Sequence, residues 1–152
     1  MTSTEPVPEG GTDGALCDAL ATEYGVIYGY GIVSAYAAPE LNKLVSDAIR
    51  EHRERRDRVI AMLAARSVNA PVPAAGYQPP FPVDNDTEAQ QLAVRMENDA
   101  AVAWRAVVEQ AGAQADRAFA VTALSQSAVL TARWKRVLGS WPITQAFPGG
   151  NE

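Results

Sequence analysis

Four polar residues, Glu23, His52, Glu97 and Gln126, mark where chemistry could concentrate in this chain. Each falls near the middle of a segment whose apolar residues recur every three or four positions, the spacing of one face of an α-helix. In the first segment that face reads Leu16, Leu20, Glu23, Ile27, Tyr30 and Ser34, and in the second Leu41, Val45, Ile49, His52, Arg56, Val59 and Leu63. The third gives Ala89, Ala93, Glu97, Ala100, Trp104 and Val107, and the fourth Phe119, Ala123, Gln126, Leu130, Trp134 and Val137. Antiparallel packing brings four mid-helix residues to a similar depth, so the expectation is one inward-facing polar layer.

Two carboxylates and one imidazole can hold a single divalent ion, and iron, manganese and zinc all accept such a set. Two ions would bring four positive charges into a buried site, and two carboxylates do not offset them. The same residues can instead close a hydrogen-bond network, with Arg55 or Arg56 pairing the inward carboxylates, because unpaired buried charge is costly and guanidinium forks match carboxylates. The network is the reading adopted. Its alternative is a mononuclear metal site with Glu23, His52 and Glu97 as ligands and Gln126 or Tyr30 beside them. Cys17 and His52 are the single cysteine and the single histidine, which excludes an internal disulfide framework and a closed structural zinc site.

Helix signals delimit the elements that must carry this layer. Asp13 is a candidate cap for a first helix running to about Ala37, and Pro39 suits the first turn of a second, since its missing N–H is unpaired there anyway. The second helix ends near Arg66, before Ser67, Asn69 and Pro71. The cluster Asp84, Asn85, Asp86 and Thr87 starts the third, which stops at Gly112; the fourth runs from about Gln114 to Leu138 with Gly139 as its C-terminal cap. Short links after the first and third helices make each pair an antiparallel hairpin. Between the hairpins, the proline-rich stretch Ser67 to Val83 can extend roughly 50 Å, more than the roughly 39 Å length of a 26-residue helix, so it can cross the bundle end to end. The expected fold is therefore an all-α antiparallel four-helix bundle over residues 13–139, with a long crossover between its second and third helices. A flexible tail (1–12) precedes it. A C-terminal tail (140–152), apolar through Trp141, Ile143 and Phe147, is expected to pack back on it.

This pattern resembles the ferritin-like superfamily, in particular an uncharacterised bacterial ferritin-like domain of unknown function, over about Ala15 to Leu138. Ferritin-like di-iron proteins present a glutamate from the first and third helices and Glu-x-x-His from the second and fourth. Glu23 and Glu97 match the single glutamates and His52 the second-helix histidine. Ile49 stands where the motif needs a glutamate, however, and Glu51, adjacent to His52, lies about 100° from it around the helix. The fourth helix has neither Glu nor His, and Gln126 is its nearest equivalent. The resemblance thus implies a ferritin-like bundle with a degenerate metal layer and no di-iron chemistry.

Composition sets the remaining bounds. A net charge of -5 over 152 residues leaves no basic footprint for nucleic acid. No apolar run of about 18 residues spans a membrane, and no secretion signal is visible, so a cytoplasmic protein is expected. The run Arg50 to Arg58 reads as a solvated face with pairs Glu51–Arg55 and Glu54–Arg58, or else as arginines lining a site for an anionic ligand. Gly25, Gly29 and Gly31 alternate with Tyr24, Tyr28 and Tyr30, and interior helical glycines cost roughly 1 kcal/mol each unless close approach offsets them. Core packing, a homodimer face and a small-ligand groove all remain open for that surface. The expected protein is a homodimeric binding or structural module with no catalytic residue and no required cofactor.

Overall fold

The computed structural model describes residues 5–150, and the first four and last two residues of the expected tails lie outside them. Four helices account for most of the chain: α1 (Gly11–Tyr36), α2 (Asn42–Ala65), α3 (Asp86–Gln110) and α4 (Gln114–Leu138), with a 3-10 turn at Pro39–Leu41 leading into α2. Among the described residues there is no strand.

Local chemistry explains most of the boundaries. At the start of α3 the Asn85 side chain accepts the Glu88 N–H at 2.9 Å while the Glu88 carboxylate accepts the Asp84 N–H at 2.8 Å, a reciprocal cap. Gly139 ends α4 at φ 69°, the left-handed conformation that glycine adopts without penalty, and Ser140 N–H bonds back to the Lys135 carbonyl. Asp13 is not the cap expected of it. The α1 N-cap is Gly10, and Asp13 sits in the first turn, where its carboxylate accepts from Arg66 at 3.1 Å.

Contacts at the helix ends determine the topology. Thr12 hydroxyl donates to the Gln110 carbonyl at 2.9 Å, joining the start of α1 to the end of α3, and Ala38 N–H donates to Asp86 at 2.8 Å, joining the end of α1 to the start of α3. Arg66, just past α2, bridges Asp13 of α1 and Asp116 of α4. Hence α2 and α3 run parallel and the connector crosses the bundle, as its length and prolines led one to expect. α1 packs closely on α2 and α3, and α3 on α4, while the α2–α4 side is more open.

The core is built from small residues around a few large ones. Ala19, Ala48, Ala93 and Ala100 let the helices approach, and Trp104, Trp134, Tyr30 and Leu63 fill the space between. Full burial of a leucine-sized side chain contributes about 1.5–3 kcal/mol. Ser34 and Val137, at the ends of their stripes, are exposed. Val26 and Val33 are buried on α1, which shifts the true inward face toward them, and the last turn of α4 lies beyond Trp134, its final fully buried residue. After Gly139, the tail residues Ile143, Gln145 and Pro148 line a small recess with Ala101 of α3 and Thr131 of α4, whereas Trp141 and Phe147 stay in solvent.

Candidate functional site: a buried charge-paired layer

Glu23, His52 and Glu97 come together at the middle of the bundle with no exposed surface at all. His52 lies between the carboxylates, with Nδ1 2.5 Å from Glu23 Oε2 and Nε2 2.9 Å from Glu97 Oε1. An imidazole that donates from both nitrogens carries a positive charge. Burial by itself disfavours that charge, but the carboxylates of Glu97 and Glu23 outweigh it and the pKa of His52 is pushed up to about 9. Burial likewise works against the Glu23 carboxylate, and His52, Arg55 and the Trp104 indole together hold its pKa below the ordinary value.

A second tier of donors surrounds the acids. Glu23 Oε1 accepts Trp104 Nε1–H at 2.7 Å and Arg55 Nη1–H at 3.3 Å. Tyr30 donates its hydroxyl to Glu97 Oε1 at 2.6 Å and accepts Trp134 Nε1–H at 2.9 Å. Burial and then the charge of Glu97 raise the Tyr30 pKa well above its ordinary value, so the phenol stays the donor. Arg55, only 4% exposed, donates from Nε to Gln126 Oε1 at 3.2 Å and from Nη1 to the Ser127 hydroxyl at 2.9 Å. Its Nη2 stands 3.7 Å from Glu51 Oε2, an ion pair too long for a hydrogen bond. Glu23 and Glu97 are balanced by His52 and Arg55, so the innermost layer is neutral. Three buried atoms in or beside it have no hydrogen-bond partner: Glu97 Oε2, Arg55 Nη2 and Glu51 Oε2.

Arg55, not Arg56, is the arginine that turns inward. Arg56 is one residue, about 100°, further around the helix and pairs with Asp57 at 2.8 Å on the outer face. Gln126 is half-buried, reaching the layer through Arg55. Outside the layer the charge run is a solvated face, though Glu54 pairs with Arg50 at 3.6 Å and not with Arg58. Sequence reasoning missed three contributors, Trp104, Trp134 and Ser127. Both tryptophans stand on the inward stripes, and the overlooked signal is that a buried indole N–H needs an acceptor.

The donor set also bears on metal binding. Both nitrogens of His52 carry protons toward carboxylates, so a metal there would have to strip a proton and displace one carboxylate. Among the described residues no three His, Cys, Asp or Glu side chains are arranged to hold an ion. The residues present do not fit a di-metal centre, since Arg55 supplies inside the layer a positive charge that would oppose one.

A family model described as a domain of unknown function, DUF4439, matches residues 15–152. The chain belongs to the DUF4439 family. It is 62% identical to a conserved hypothetical protein, rv2844, from Mycobacterium tuberculosis, whose crystal structure covers 90% of this chain, is itself covered to 96%, and superposes with a TM-score of 0.83. A search of curated proteins found no match. No helix of the described residues is long and apolar enough to cross a membrane.

The DUF4439 chain has a second concave feature, a cavity of about 270 Å³ between α1, α3 and the crossover. Gly25 and Gly29 of α1 line it. A Cβ on Gly29 would stand 2.0 Å from Met96 Sδ, so this glycine makes room for the Met96 side chain of α3. A Cβ on Gly25 would lie 3.7 Å from the Tyr77 ring, ordinary contact, and one on Gly31 would meet nothing. The Gly25-x-x-x-Gly29 face is thus turned toward α3 and the crossover of its own chain.

Proposed function

We propose that this protein is a ferritin-like binding or structural module in which a closed ion network has replaced the di-iron centre, with no catalytic residue of its own. The observation that carries this reading is His52, bonded through both ring nitrogens to the two glutamates that a metal would need. Support also comes from access, because Glu23, His52 and Glu97 are wholly buried and no substrate reaches them without opening the bundle. The ferritin-like assignment is supported by the parallel α2 and α3 and the crossover between them. A cytoplasmic location is in keeping with Cys17, the single cysteine, which is buried and free. The partner in this proposal is a second copy of the chain, supported by the apolar side chains of Val121 and Val129 that α4 leaves in solvent.

One observation favours the second reading, a mononuclear site for iron, manganese or zinc on Glu23, His52 and Glu97: the Glu97 Oε2 atom has no partner. Elemental analysis of protein prepared without chelators separates the two. The expected result is far less than one metal per chain for both the wild type and His52→Ala. Stoichiometric metal in the wild type that is lost in the variant overturns the closed-network reading.

A further inference from the structure

The cavity under the crossover has aromatic and apolar walls with one carboxylate among them. Tyr28 of α1 and Tyr77 of the crossover face each other with ring centroids 5.5 Å apart and planes tilted by 54°, and Met96 and Pro79 add apolar wall. Tyr77 is fixed in place, its hydroxyl accepting the Ala74 N–H at 3.0 Å. Asp99 is the one charged residue among those lining the pocket, and its carboxylate also accepts from Arg95 at 3.2 Å. The two helices that form the pocket are the acidic half of the molecule: α1 carries three acidic and no basic residues, and α3 five and two. α2 carries six basic and four acidic residues and α4 four and one, on the opposite side.

Gly25 supplies an independent observation. A glycine inside a helix is unfavourable relative to alanine, and at Gly29 the contact with Met96 explains it, but at Gly25 a Cβ is accommodated without strain. Among the described residues no packing contact requires that glycine. What its missing side chain does is keep the floor of the pocket open.

From these observations we infer that the groove formed by α1, α3 and the crossover binds a small organic cation with an apolar body, an aryl- or alkylammonium. The ammonium sits against the faces of Tyr28 and Tyr77, whose negative ring faces attract it, with the Asp99 carboxylate as counter-charge. The apolar body lies over Gly25, against Met96 and Pro79. A cavity of about 270 Å³ accommodates a molecule of roughly ten non-hydrogen atoms, just below the drug-sized range. This assignment deepens the binding-module reading and rests on it.

The test uses the full chain and three probes of similar size: benzyltrimethylammonium, benzyl alcohol and benzoate. Calorimetry and amide chemical-shift mapping should show the ammonium binding at least about tenfold tighter than the alcohol, with benzoate weaker still and the shifts centred on Gly25 and Tyr77. Gly25→Ala should melt no lower than wild type and bind more weakly, Tyr28→Leu should lose about tenfold in affinity, and Asp99→Asn should lose selectivity over the alcohol. The inference is overturned if the ammonium does not bind at millimolar concentration, if all three probes bind alike, if the shifts map elsewhere, or if Gly25→Ala binds as wild type. Failure here leaves the closed-network reading standing, because metal content is measured on protein without probe. Stoichiometric metal with ammonium binding intact would do the reverse.

Discussion

His52 is the residue on which the interior depends. Removing one partner from a buried, hydrogen-bonded ion network leaves uncompensated charge and costs about 3–5 kcal/mol. His52→Ala is therefore expected to lower unfolding stability by about that amount in urea titrations, while Arg56→Ala, on the outer face, changes it by less than about 0.5 kcal/mol. The pH dependence follows from the same side chain. Its pKa is raised in the folded state, so its contribution is complete below the unfolded value of 6.5 and is lost as pH rises through about 9. Glu23 has the opposite sign: its pKa is lowered, and its contribution is present above the ordinary carboxylate range and fades as pH falls through the folded value. Stability should thus be highest in mildly acidic to neutral solution, and the alkaline decline between 6.5 and about 9 should be absent in His52→Ala. Helical spacing alone brought Glu23, His52 and Glu97 to one level. It could not choose between Arg55 and Arg56, since a one-residue difference in facing depends on how far α2 is rotated against α1 and α4.

Among the elements, α1 is the one whose composition argues against its own helix. Gly25, Gly29 and Gly31 weaken its second half, and of these only Gly29 is explained by a close contact, that of the Met96 side chain of α3. Gly29→Ala should destabilise the fold by about 1–3 kcal/mol through the clash with Met96, and Met96→Ala placed beside it should recover part of that loss, which a thermal-melting double-mutant cycle would show. Helix ends were readable wherever a side chain or a special backbone conformation defines them, as at Asn85 and Gly139. The start of α1 was not, because Asp13 has a better partner in Arg66, a residue 53 positions away that no local rule anticipates. The crossover was readable from its prolines and length. Its role as a wall of the cavity was not, because Tyr77 meets Gly25 only once the chain has folded.

For the whole molecule the main question is assembly. Val121 and Val129 on α4 are 46% and 58% exposed, an apolar surface that suits contact with another copy. Sedimentation equilibrium of the wild type should report a dimer, and Val129→Glu should shift it toward monomer with an unchanged melting curve, since neither side chain contributes to the core. A monomeric wild type at micromolar concentration would remove the dimer from the proposed function.

The crossover has one more consequence, which concerns how the protein becomes whole. The first hairpin holds Glu23, His52 and Arg55, both cations of the layer and one acid; the second holds Glu97 with the two tryptophans. Separated, the first half would bear an unmatched positive charge and the second an unmatched negative one, each on an otherwise greasy face. A backbone cut near Val72, 83% exposed in the middle of the connector, severs no helix. The two pieces so made would be mutually attracting fragments, able to hide their charges only by finding one another again.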